Sequence, residues 1–139
     1  MGRALWATLL IAVAATGCGS GGPEIVPVEG TVTHHGEPVP NLRIYFVSTD
    51  GRPSWGDSDS SGHFALEYDA QHKGAKVGSH KIWVVDLSTN VDPTAAMSGG
   101  PRPKRSPAIG EIVEKYGQGK STLEVEVKKA ERNFQLKLD

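Results

Sequence analysis

Asp57, Asp59 and Ser61 stand at alternate positions, and Gly62 follows directly. An EF-hand calcium loop begins in this way, with oxygen ligands at every second residue and a glycine at the sharp turn. Such a loop also needs a bidentate Glu at its twelfth position. Counted from Asp57, that position is Tyr68, and the nearest acid is Glu67. The flanks should be helical, yet Phe64, Leu66 and Tyr68 alternate as in a strand. The missing ligand removes most of the charge a calcium site requires, so the stretch reads as a turn.

Other chemical motifs fare no better. Gly119-Lys120-Ser121-Thr122 imitates the end of a phosphate-binding loop, but the glycine required five residues earlier is Glu114, whose charge repels phosphate. The sequence that follows, TLEVEV, alternates as a strand where such a loop needs a helix. The five histidines are scattered. His34 and His35 are adjacent, so in a strand they point to opposite faces, and only a turn could make them converge. His63 and His80 fall on expected strands and His72 in a loop rich in Lys and Gly, so the histidines read as solvated turn and surface residues. Ser, His and Asp are all present, but no nucleophile-elbow sequence is, and a triad needs its members brought together. The expectation is no catalytic residue, no metal and no cofactor.

The elements that would have to position any site begin after an unusual N-terminus. Arg3 is followed by an apolar run over residues 4–15, the length of a signal-peptide core and short for a membrane span. Ala15-Thr16-Gly17-Cys18 closes the run and resembles the bacterial lipobox, with Ala15 where that motif usually has Leu. The resemblance implies cleavage before Cys18 and acylation of its thiol and new amino group. Cys18 is the one cysteine of the chain, which excludes an intramolecular disulfide and a cysteine zinc cluster. Residues 1–17 are thus expected to be a lipoprotein signal peptide and 18–24 a flexible lipidated tether. The domain proper spans 25–139.

The full chain carries 17 Gly and 9 Pro, which disfavour helices, and leaves room for one domain of modest size. Across the whole chain, 15 basic and 16 acidic residues leave no charge excess that would point to nucleic acid. The apolar period from Ile25 onward is two. Leu42, Ile44 and Phe46 alternate with Arg43, Tyr45 and Val47, and Phe134, Leu136 and Leu138 with Gln135 and Lys137. Ile44, Phe46, Phe64, Ile82, Val84, Val125, Phe134 and Leu136 are expected to face inward. Six clear strands plus a short one near Ser54–Asp57 predict a seven-stranded antiparallel sandwich. One helical turn is expected over Ile109–Tyr116. The connection 88–108, with Arg102, Lys104 and Arg105, reads as a long irregular loop.

The stretches VEGTVTHHGEPVPNLRIYFV, DSDSSGHFAL, VGSHKIWVV, IVEKYG and STLEVEV…NFQLKLD resemble the carboxypeptidase regulatory-like, transthyretin-like β-sandwich, as in short planctomycete-type lipoproteins. The likeness covers about residues 25–139. It implies a non-enzymatic module of surface or secreted proteins and names no ligand. It also implies that Asp59 bonds backbone amides in a hairpin turn, with Gly62 at positive φ. His80 stands where such sequences commonly have Tyr.

Strand alternation places Tyr45 and Trp83 on the side away from the core, where similar sequences carry Thr. Apolar residues turned outward imply a cover, either the 88–108 loop or a partner. The expected function is that of a lipid-anchored, non-enzymatic module of the bacterial envelope, held to the membrane by its N-terminal lipid. It would lie on the periplasmic or outer-surface side and act in binding or structural support. The alternative is a carbohydrate- or peptide-binding module using the face around Trp83 or the 88–108 loop. The partner is an envelope protein or a glycan.

Overall fold

The computed structural model describes residues 21–49, 51–89 and 105–139. The signal segment, Cys18 and most of the long loop, including Arg102 and Lys104, lie outside the described residues. The elements run β1 (Ile25–Val26), β2 (Val28–His34), β3 (Glu37–Pro38), β4 (Leu42–Ser48), β5 (Ser54–Asp57), β6 (His63–Ala65), β7 (Ala75–Lys76) and β8 (Gly78–Asp86). Helix α1 (Pro107–Tyr116), β9 (Glu124–Val127) and β10 (Glu131–Lys137) complete the elements of the described residues. No helix among the described residues is long and apolar enough to cross a membrane.

Among the described residues the fold is all-β with one helix. One four-stranded sheet has the order β5-β4-β8-β9 and is antiparallel throughout. In a second, β2 is central: β10 lies along one side of it, while β3 and β6 share the other. The short strands β1 and β7 pair separately. Alternation sets the faces. Along β4, Leu42, Ile44, Phe46 and Ser48 are buried and the residues between them are not. Both four-stranded sheets feed one core, in which Val32, Leu42, Ile44, Phe46, Ile82 and Leu138 are fully buried. Of the residues expected inside, Val125 and Phe134 are only partly buried, although both pack against this core. Phe134 meets Phe46 edge-on, with centroids 5.7 Å apart.

Two expectations change in detail. The strands among the described residues number ten, because β1, β3 and β7 are two-residue pieces too short to show a period. The strand pairing is also not wholly antiparallel, since β10 runs parallel to β2 with Leu136 opposite Val32. Alternation shows which face of a strand is buried but is blind to strand direction. A register shift between Glu131 and Phe134 brings the Phe134 backbone so close to Gly30 that any Cβ there would strike the Phe134 carbonyl.

The helix is longer than the single turn expected. Ser106 caps it by accepting from the Ile109 N–H at 3.3 Å, and Pro107 occupies the first turn, where its missing N–H costs nothing. Ile109 and Ile112 bury its inner face. Gly119 through Thr122 lead from a turn into β9, as the alternation of TLEVEV requires.

Candidate functional site

The outer face of the β5-β4-β8-β9 sheet carries a row of aromatic side chains. Strand pairing sets Tyr45 opposite both Trp55 on β5 and Trp83 on β8. The Tyr45 and Trp83 rings stack with centroids 4.0 Å apart and planes 17° from parallel. Rings stacked across neighbouring strands stand upright on the sheet, so their edges face outward. In the next row Arg43 pairs with Asp57 on one side and Val85 on the other. Its guanidinium donates to both Asp57 oxygens, from Nε at 2.6 Å and Nη2 at 2.8 Å. It also lies over the Trp55 ring, 4.4 Å from the centroid. Hydrogen bonding to Asp57 raises the Arg43 pKa above its ordinary value, against the opposing effect of partial burial. Val85, at 37 % exposure, borders the row.

Tyr45 and Trp83 therefore lie on the outward face, and they bury much of each other's ring surface. Each ring thus covers one face of the other, and most of the 88–108 loop expected as a cover lies outside the described residues. Trp55 and Arg43 belong to the same patch, and sequence reasoning missed them. The signal was present in the alternation of Ser54, Trp55 and Gly56, but the register that sets Trp55 beside Tyr45 is not written in either strand.

In the turn before β6, Asp59 Oδ1 accepts from the Ser61 N–H at 2.9 Å, the Ser61 hydroxyl at 2.7 Å and the His63 N–H at 3.0 Å. These bonds, the Ser61 hydroxyl first, hold its carboxyl below the usual range. Gly62 has φ +75°, and a Cβ would come within 2.7 Å of the Val32 carbonyl oxygen. Asp57 faces Arg43 from β5, so Asp57 and Asp59 are committed to different partners.

The histidines are less uniformly solvated than expected. His80 is 2 % exposed, packs near Phe46 and donates from Nε2 to the Lys76 carbonyl at 2.6 Å. His80 thus fills a core position instead of the solvated one expected of the histidines. His63 is exposed on β6. His72 is exposed and hydrogen-bonds Asp69 through Nδ1 at 2.8 Å.

His34 ends β2, while His35 and Gly36 both have positive φ, +50° and +83°. Positive φ at both central residues makes the β2–β3 hairpin turn type I′. The turn rotates His35 so that its ring meets that of His34, with centroids 4.0 Å apart. The pair opens into a cleft of about 640 Å³ between the hairpin and α1, which Glu111 also lines. At one margin of the cleft Ser88 donates to Asp86, from N–H at 2.8 Å and from Oγ at 2.5 Å. Arg105 Nε donates to the other Asp86 oxygen at 2.7 Å. Burial opposes the charge on Asp86, but the Ser88 hydroxyl and Arg105 outweigh it, and the carboxyl titrates below its usual range.

Comparison of the chain with protein-family models, curated proteins and solved structures finds no match. The functional reading therefore rests on this geometry and the sequence.

Proposed function

We propose that the chain is a lipid-anchored, non-enzymatic module of the bacterial cell envelope that binds a protein partner through the outer face of its β5-β4-β8-β9 sheet. In this reading it is a transthyretin-like sandwich of the carboxypeptidase regulatory-like type. Its seven principal strands are β2, β4, β5, β6, β8, β9 and β10. Cys18 carries the lipid, and the residues before β1 form the tether.

The observation that supports binding is the patch of Trp55, Tyr45 and Trp83 with Arg43 laid over Trp55. Trp, Tyr and Arg are the residues that dominate energetic hot spots at protein interfaces. Their packing against one another fixes rotamers in advance, so less side-chain entropy is lost on docking. Exposed Val85 adds an apolar rim.

A glycan is the second reading, since aromatic faces also bind sugar rings. The Tyr45–Trp83 stack favours protein over sugar. One face of each of these rings is taken by the other, and Arg43 covers a face of Trp55, so ring edges dominate the surface offered.

The test is capture from envelope extract by the tethered full-length protein. Wild type and Gln135→Ala, altered on the other sheet, should retain the same partner. Trp83→Ser and Arg43→Ala should lose it while remaining folded by circular dichroism. Folded variants that retain the full captured set would remove the binding face. Quenching of tryptophan emission by envelope glycans, without protein capture, would favour the sugar reading.

A further inference from the structure

Separate from the aromatic face, His34, His35 and Glu111 converge at the mouth of the cleft. One potential ligand atom from each lies within 4.8 Å of the other two. The two histidines come from the β2–β3 turn and Glu111 from α1, so the cluster joins segments far apart in the chain. We propose that these three side chains form a binding site for a borderline divalent metal ion, with zinc as the best fit.

The His34 tautomer carries much of the argument. Its Nδ1 is hydrogen-bonded to the Leu138 carbonyl oxygen. A carbonyl oxygen can only accept, so Nδ1 bears the proton and the neutral ring has its lone pair on Nε2. That is the arrangement of a metal-bound histidine, whose second nitrogen donates to a carbonyl or carboxylate that fixes the ring. Nε2 faces Glu111 Oε2 at 3.6 Å. Two electron-rich atoms at that distance repel unless they share a cation. Ligands on a tetrahedral zinc, each about 2.0–2.1 Å from the ion, stand about 3.4 Å from each other. The His34–Glu111 spacing is already close to that value.

A proton could also bridge His34 and Glu111, but it would make no use of His35. The His35 ring is turned to the same point by a backbone conformation that few residues other than glycine adopt. Its backbone N–H is held by Asp139 Oδ1 at 2.6 Å. Two imidazoles and one carboxylate are a donor set that zinc accepts, with the remaining position left to water or a small ligand. Here that position would open into the cleft, past Val39, Pro40 and Ala108. The His34 side chain is only 10 % exposed and anchors the set, whereas Glu111, at 70 %, can move the short distance closure needs.

The experiment is zinc titration of the full-length, detergent-solubilised, chelator-treated protein by calorimetry, with cobalt(II) absorption as a second readout. The expected result is one ion per chain, a visible cobalt spectrum of low coordination number, and a raised thermal midpoint. Glu111→Gln and His35→Asn should each weaken zinc binding by about tenfold or more. Glu111 is exposed and Asn tolerates positive φ, so both variants should fold, which circular dichroism checks. His72→Ala should bind as wild type. No stoichiometric binding by the folded wild type would overturn the proposal. So would binding undiminished in both variants, which would place the ion elsewhere.

Discussion

Tyr45 and Trp83, on neighbouring antiparallel strands, stack with centroids 4.0 Å apart on the face of the sheet opposite the core. Their contact replaces water on one face of each ring, which is how two large aromatics are kept on an outward surface. A cross-strand aromatic pair contributes about 0.5–1.5 kcal/mol beyond area burial. A double-mutant cycle with Tyr45→Ser and Trp83→Ser, read by urea unfolding, should return a coupling energy in that range. Additive effects would mean that the rings do not stack in solution.

Asp86 should make stability depend on acid. Its folded pKa lies below the ordinary value of 3.8 despite burial, because Ser88 and Arg105 bond the charged form. A depressed carboxylate contributes stability that is present above its unfolded pKa and is lost as pH falls through the folded pKa. Asp86→Asn should therefore be less stable than wild type at neutral pH. The gap should narrow as pH drops from about 4 to about 2. Urea midpoints measured across that range check the sign, and a gap that widens in acid would contradict it.

Core phase gives a graded prediction. Phe46 is fully buried, and Phe46→Ala should cost about 3–5 kcal/mol. Phe134, which is partly buried against it, should cost less. Gln135 is exposed on the same strand as Phe134, and Gln135→Ala should stay within about 0.5 kcal/mol. Chemical denaturation of the three variants measures the order. A Gln135 effect equal to that of Phe134 would mean that β10 is shifted by one residue.

The Asp59 turn should matter without calcium. Asp59→Ala removes the acceptor of three hydrogen bonds and should lower the thermal midpoint in chelator. Calcium at millimolar concentration should leave the wild-type midpoint where it was. A rise that Asp59→Ala and Asp57→Ala abolish would restore the calcium reading.

The anchor is tested by metabolic labelling. Wild type should incorporate labelled palmitate and enter the detergent phase, and Cys18→Ala should do neither. Equal labelling of both forms, or of neither, would refute lipidation at Cys18.

Much of this protein follows from local rules. Period-two alternation is a property of the chain itself, so it placed Ile44, Phe46, Ile82 and Val84 inside and Tyr45 and Trp83 outside with no knowledge of partners. Asp59 and Gly62 were legible for the same reason, since their turn is closed by bonds to residues two to four positions away. Ser106 and Pro107 could have extended the helix, because capping is also local. Pairing was not legible. Whether β10 runs parallel or antiparallel to β2 depends on the path of the intervening chain, and alternation looks the same either way. The patch of Arg43, Trp55, Tyr45 and Trp83 required the register of three strands at once. The meeting of His34 with His35 depended on a left-handed turn at a residue that is not glycine, and their meeting with Glu111 on the docking of a helix more than seventy residues away. Each strand's buried face is set by its own side chains, whereas a site assembled from separate segments exists only once packing has chosen which of those faces and ends come together.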